Sequence, residues 1–216
     1  TPYKMAVFPG HSEYWSREQR RSVEDSTFGF KGNLGGNLLF LAANNCYWKV
    51  KYYSSGAANN PDSMACNKWF PAGTALYRST VEQGDTLFEA RLVGNQFMAV
   101  NDSNTSSIVD NASHWVFMGT GLNNDDRFGL GHISGPPYID PIAAGEADMV
   151  LPNLSPWNNM RLTHKLVGAL DPTEFHYQEL INLTGSPLLY CDMVYYEDTT
   201  SNARVLAAGG MGWANS

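Results

Sequence analysis

The chain has 216 residues, 43% of them hydrophobic and only 16% charged, with a formal charge of −7. That length and apolar content support one sizeable core and exclude a disordered chain. The acidic balance, with no basic cluster longer than Arg20-Arg21, argues against nucleic acid and anionic membranes as partners, and no apolar run reaches the roughly 18 residues that would span a bilayer.

Residues 3–9, YKMAVFP, form a short apolar run that Pro9-Gly10 stops sharply, which predicts a buried strand. Ser16 has Gln19 three residues on, the spacing of a capping box, and Glu18 lies in the first turn. A helix is therefore expected from about residue 17 to the mid-twenties, ended by Gly29, Gly32, Gly35 and Gly36. NLLFLA, residues 37–42, predicts a strand buried on both faces. Strand, helix and apolar strand make a βαβ unit, so the two strands should be parallel. Ligands of open parallel sheets sit beyond the carboxyl ends of the strands. Those ends read GHSEYW and ANNCYW, the two places with the densest unusual chemistry.

The middle of the chain is less regular. Residues 54–67 and 101–113 read as loops, TLFEARLVG as a helix or a strand, and HWVFMG as a short apolar stretch. Residues 121–148 are rich in Gly, Pro and Asp, and a connection of that length is expected to be functional. SPLLYCDMVYYED and ARVLAAGGMGW, joined by the polar EDTTSN, predict a C-terminal β-hairpin. The whole of 1–216 reads as a single domain.

His11 and Glu13 point to one face of extended backbone, while Tyr14 points to the other unless the chain has turned. The plainer reading gives Glu13 to the helix dipole and Tyr14 and Trp15 to packing. Asn44 and Asn45 suit a turn, because Asn tolerates left-handed backbone angles. The Tyr-Trp pair that follows, Tyr47-Trp48, repeats the Tyr14-Trp15 of the first strand end. Cys46 is placed where hydrolases of related topology carry a nucleophile, but no Gly-x-Cys-x-Gly elbow surrounds it, which favours a buried, inert thiol. Of the scattered His114, His132, His164 and His176, His132 in the Gly-rich loop is the best site candidate. Glu146, in AAGEAD, is an acid among small residues that let a ligand approach. Cys46, Cys66 and Cys191 lack CxxC spacing, against a zinc cage or a disulfide-dense scaffold. Five Asn-x-Ser/Thr triplets, starting at Asn101, Asn104, Asn111, Asn153 and Asn182, tilt the expected location toward extracellular or secreted, with cytoplasmic the alternative.

HSEYW, GGNLLFLAANNCYWKV, RFGLGH, GEAD and ARVLAAGGMGW together resemble the C-terminal domain of the large (beta) subunit of N,N-dimethylformamidase, over nearly the whole chain. The resemblance implies a flavodoxin-like, class I glutamine amidotransferase-like α/β fold, a three-layer sandwich with a mainly parallel central sheet. It also implies that some N-terminal strands of that domain and further flanking chain are missing from these residues. It implies hydrolysis of an amide C–N bond in a small amide-like substrate at a mononuclear ferric, Fe(III), site. The ligands would be Tyr14, Tyr47 and Glu146, hard oxygen donors suited to a highly charged ion. His11 or His132 would then act as base, with Glu13 orienting it. The rival expectation is a non-catalytic ligand-binding or structural module of a secreted or surface protein.

Overall fold

The structure is a computed structural model and describes residues 3–53, 63–66, 76–77, 80–82, 85–101, 106–128, 145–151, 158–169, 172, 181–182 and 184–210. In chain order the strands and helices are β1 (Met5–Phe8), β2 (Tyr14–Ser16), α1 (Arg17–Glu24), β3 (Asn37–Phe40), β4 (Trp48–Tyr53) and β5 (Ser63–Ala65). Next come β6 (Val81–Glu82), β7 (Asp85–Thr86), α2 (Ala90–Val93), β8 (Gln96–Asn101), β9 (Ser107–Val109) and β10 (Arg127–Phe128). The last are β11 (Gly145–Met149), β12 (Met160–Ala169), β13 (Leu188–Glu197) and β14 (Arg204–Ala207).

The seven-stranded sheet runs β1-β3-β14-β13-β12-β9-β10. The β1/β3 and β3/β14 pairs are parallel, and the four pairs that follow are antiparallel. The parallel β1/β3 pair and the β13/β14 hairpin agree with the sequence. The flavodoxin-like, glutamine amidotransferase-like sandwich with a mainly parallel sheet does not: the regular structure among the described residues is mostly strand, and the sheet is mixed. The reason is the connections. A parallel pair needs a crossover of a dozen or more residues, usually a helix. After β3 the described α-helical residues are the four of α2 with Ile181, Asn182 and Thr184, beside the single turn Trp115–Phe117, while β12 and β13, ten residues each, pair antiparallel. Two smaller expectations also change. β1 is not buried, since Met5 is 50% and Val7 45% exposed. β5 and β9 lie inside residues expected to be loop.

The capping box is formed: Ser16 Oγ accepts from the Gln19 N–H at 3.2 Å and the Ser16 N–H donates to Gln19 Oε1 at 2.7 Å. One side of α1 carries Arg20, 1% exposed, whose guanidinium donates to Glu24 and to the Leu87 and Phe88 carbonyls and lies over the Tyr77 ring. Burying that charge is tolerable because each guanidinium nitrogen donates to a partner, one of them a carboxylate. Successive residues of β13 serve two cores. Val194 and Tyr196 pack with Trp15, Phe40, Cys46 and Tyr77, while Met193 and Tyr195 pack with Val109, Phe117 and Leu162.

Candidate functional site

The carboxyl ends of β1 and β3 are tied together by the backbone. The Cys46 N–H donates to the Ser12 carbonyl at 2.8 Å, and the Tyr47 and Trp48 N–H groups share the Glu13 carbonyl at 2.9 Å. The two segments then continue as the parallel β2/β4 pair, with Tyr14 opposite Trp48. The Trp15 indole N–H reaches back to Ser12 O and Oγ at 2.9 and 2.8 Å, which fixes the turn that aims His11 and Glu13. On the other segment Asn44 and Cys46 adopt left-handed angles, φ 55° and 58°. Asn accepts this readily; Cys does so at a cost of roughly 1 kcal/mol, a strain of the kind found at functional sites.

This turn carries Asn44 into a cluster drawn from three places in the chain. Its side-chain amide donates to Glu13 Oε1 at 3.3 Å and to Glu146 Oε1 at 3.0 Å. His11 Nε2 lies 3.1 Å from Glu146 Oε2 and 3.5 Å from Glu13 Oε2. Burial raises the Glu146 pKa, as does the neighbouring Glu13 charge, while His11 and the Asn44 amide act the other way. Asp148 supports the assembly from below: it is 1% exposed, accepts from the Asn44 backbone N–H at 2.7 Å, and donates its own N–H to the Gly209 carbonyl. Gly209 has φ 72°, and a side chain there would collide with the Asp192 carbonyl.

Of the residues singled out in the sequence, His11, Glu13 and Glu146 therefore meet. Tyr14 stands opposite Trp48 in the β2/β4 pair, so Tyr47 is one residue out of register with it. The Tyr47 ring packs edge-on against Trp48 and Phe97, and Tyr14 is 36% exposed. His132 and His176 lie outside the described residues. His114 accepts from the Val116 N–H and packs on Tyr195, and His164 pairs with Asp110 at 2.8 Å. Cys46 is fully buried and its thiol is pushed up to about 12 by burial, so it is not a nucleophile at neutral pH. Asn44 and Asp148 were not expected to take part. The only signals were the position of Asn44 at a strand end and of Asp148 two residues after Glu146 on a strand.

Among the described residues, no group of three or more His, Cys, Asp and Glu side chains is arranged to hold a metal ion. A ferric ion would thus need the phenol oxygens. The donor chemistry fits one: two carboxylates face a single imidazole, and Asn44 Oδ1 is buried with no hydrogen-bond donor. Such a surplus of acceptors suits a hard cation.

Comparison with curated proteins returns no match. Over residues 1–216 the sequence matches the family described as N,N-dimethylformamidase beta subunit-like, C-terminal, and the chain belongs to that family.

Proposed function

We propose that this chain hydrolyses an amide C–N bond at the cluster of His11, Glu13, Asn44 and Glu146. Membership of the dimethylformamidase-like family suggests the reaction. The observation that carries the assignment is one imidazole nitrogen within 3.1 and 3.5 Å of two carboxylates that come from separate segments. His11 is partly open to solvent, its side chain 29% exposed, so water and a small amide can reach it. In this reading His11 takes a proton from the attacking water and returns it to the departing nitrogen as the C–N bond breaks. Glu13 and Glu146 hold the ring in place. Asn44 keeps the two carboxylates in place by donating to both.

Tyr14, Tyr47 and Glu146 are the residues proposed to hold a ferric ion. When bound, such an ion supplies Lewis acidity toward the amide carbonyl. The test has two readouts. Release of free amine from simple amides should fall by about 10²–10⁴-fold in His11→Ala, the usual contribution of a general base. Iron content and a phenolate-to-iron absorption band should be lost in Tyr14→Phe and Tyr47→Phe. A protein that stays iron-free after ferric reconstitution would overturn the metal assignment. Unchanged hydrolysis in His11→Ala would overturn the role of the cluster.

A further inference from the structure

β11, the strand that delivers Glu146, pairs with β8 in a two-stranded ribbon outside the seven-stranded sheet. His11 and Glu13 instead follow β1, an edge strand of that sheet. Where Glu146 stands relative to them is therefore set by what fastens the ribbon to the sheet. Asp192, on β13, holds both strands of the ribbon. Its side-chain Oδ2 accepts from the Val150 N–H, one residue past β11, at 2.9 Å. Its backbone carbonyl accepts from the Asn95 side-chain N–H, one residue before β8, also at 2.9 Å. Gln96 and Met149 pair, so both contacts grip the same end of the ribbon.

The grip is close and dry. Asp192 and Asn95 are buried, and a side chain on Gly209 would collide with the Asp192 carbonyl and meet the Asn95 amide. Val150 packs against the core that holds Trp15, Cys46 and Val194, and Val194 shares a face of β13 with Asp192. From this end the strand reaches the site in two steps. Asp148, two residues before Val150, accepts from the Asn44 backbone N–H at 2.7 Å and donates its own N–H to the Gly209 carbonyl at 2.9 Å. Glu146, four residues before Val150, meets His11 at 3.1 Å and the Asn44 side-chain amide at 3.0 Å. Four residues of strand span about 13 Å, and close-packed structure transmits a displacement over that length.

We infer, on the reading of the cluster as the amide site, that Asp192 is a positioning residue: its side chain fastens the end of β11 to the main sheet and so sets where Glu146 meets His11. The fastening needs an acceptor rather than a charge, because a carboxylate, a neutral acid and a carboxamide all present an oxygen to the Val150 N–H. Asp192→Val removes that acceptor with a side chain suited to a central strand, and Asp192→Ala does the same should the first variant fold poorly. Asp192→Asn keeps it. The intact chains are compared by the kinetics of amine release from simple amides such as acetamide and by hydrogen exchange of single backbone amides.

In Asp192→Val, kcat should fall at least about tenfold with KM changed by less than about twofold, the pattern of reacting groups misplaced without loss of a binding contact. Asp192→Asn should keep the wild-type kcat. The Asn44 and Asp148 amides should exchange at least about tenfold faster in Asp192→Val, measured against Leu41, whose N–H bonds to the Phe8 carbonyl where β1 and β3 end. In Asp192→Asn that ratio should stay as in the wild type. Unchanged kcat in Asp192→Val, an equal loss in Asp192→Asn, or Asn44 exchange that merely follows Leu41 overturns this role. If the wild type hydrolyses no amide and the exchange pattern holds, the hydrolase reading falls and the fastening of the cluster stands. If the wild type hydrolyses amides and the exchange pattern is absent, the fastening falls and the hydrolase reading stands.

Discussion

Replacing Asp192 by Asn should stabilise the protein at neutral pH and leave it nearly unchanged at about pH 4, near the ordinary Asp pKa. Asp192 is 1% exposed, on a central strand of the sheet. One carboxyl oxygen accepts from the Val150 N–H at 2.9 Å, and the other is buried with no donor. Burial pushes the pKa up to about 7, only partly opposed by that N–H and by the Arg161 and His164 charges. Against an ordinary value of about 3.9, the shift is about 3 units, and at 1.36 kcal/mol per unit it amounts to about 4 kcal/mol. The native state thus keeps a proton that the unfolded chain has released between about pH 4 and about pH 7. Stability from this group falls as pH rises through that window and is constant above it. Asn keeps the acceptor for Val150 and never ionises. Urea unfolding of both proteins at several pH values isolates the difference, because the other titrating groups are shared. The variant should gain on the wild type as pH rises, by up to about 4 kcal/mol above neutrality. A difference that stays flat across the window would refute the reasoning.

Arg20→Met should destabilise the fold by about 3–5 kcal/mol, because Glu24 and the Leu87 and Phe88 carbonyls lose their buried donor; urea unfolding measures it. Ser16→Ala should cost about 1 kcal/mol by removing one arm of the capping box, with a proportionate fall in the unfolding midpoint. Cys46→Ala should leave amide hydrolysis unchanged, since the thiol is buried and protonated; loss of activity in a folded variant would reinstate a thiol mechanism.

The parts of this fold that could be read in the sequence are those decided within a few residues. Ser16 and Gln19 meet because three residues of helix bring them together, whatever packs around them. The β1/β3 pair follows from a helix of the right length between two apolar runs, and the β13/β14 hairpin from a short polar turn. The sheet direction beyond β3 had no such local cause. β13 is buried on both faces and reads as one apolar run, a pattern that parallel and antiparallel central strands share. β12 hides its role further, because Thr163 and Lys165 are buried in it and break the apolar pattern of a core strand. The sandwich implied by the resemblance therefore agrees with the first βαβ unit and fails beyond it.

The site divides along the same line. His11 and Glu13 stand two residues apart after a strand that stops at Pro9-Gly10, so their shared position is a local property. Asn44 was legible only as a turn former, and its left-handed angle bears that out. What the turn achieves is not local. It aims one amide at a carboxylate five residues beyond the end of β1 and at another that arrives on β11 more than a hundred positions later. Asp148 holds the backbone of that turn, and its own N–H is held by Gly209, from the strand end following β14. The cluster thus depends on β11, which pairs antiparallel with β8 outside the seven-stranded sheet, and on the chain that leaves β14. A change at Gly209, far along the chain from His11, should therefore disturb the amide site through Asp148 and Asn44, and a mechanism built only on the two N-terminal strand ends would have no place for that effect.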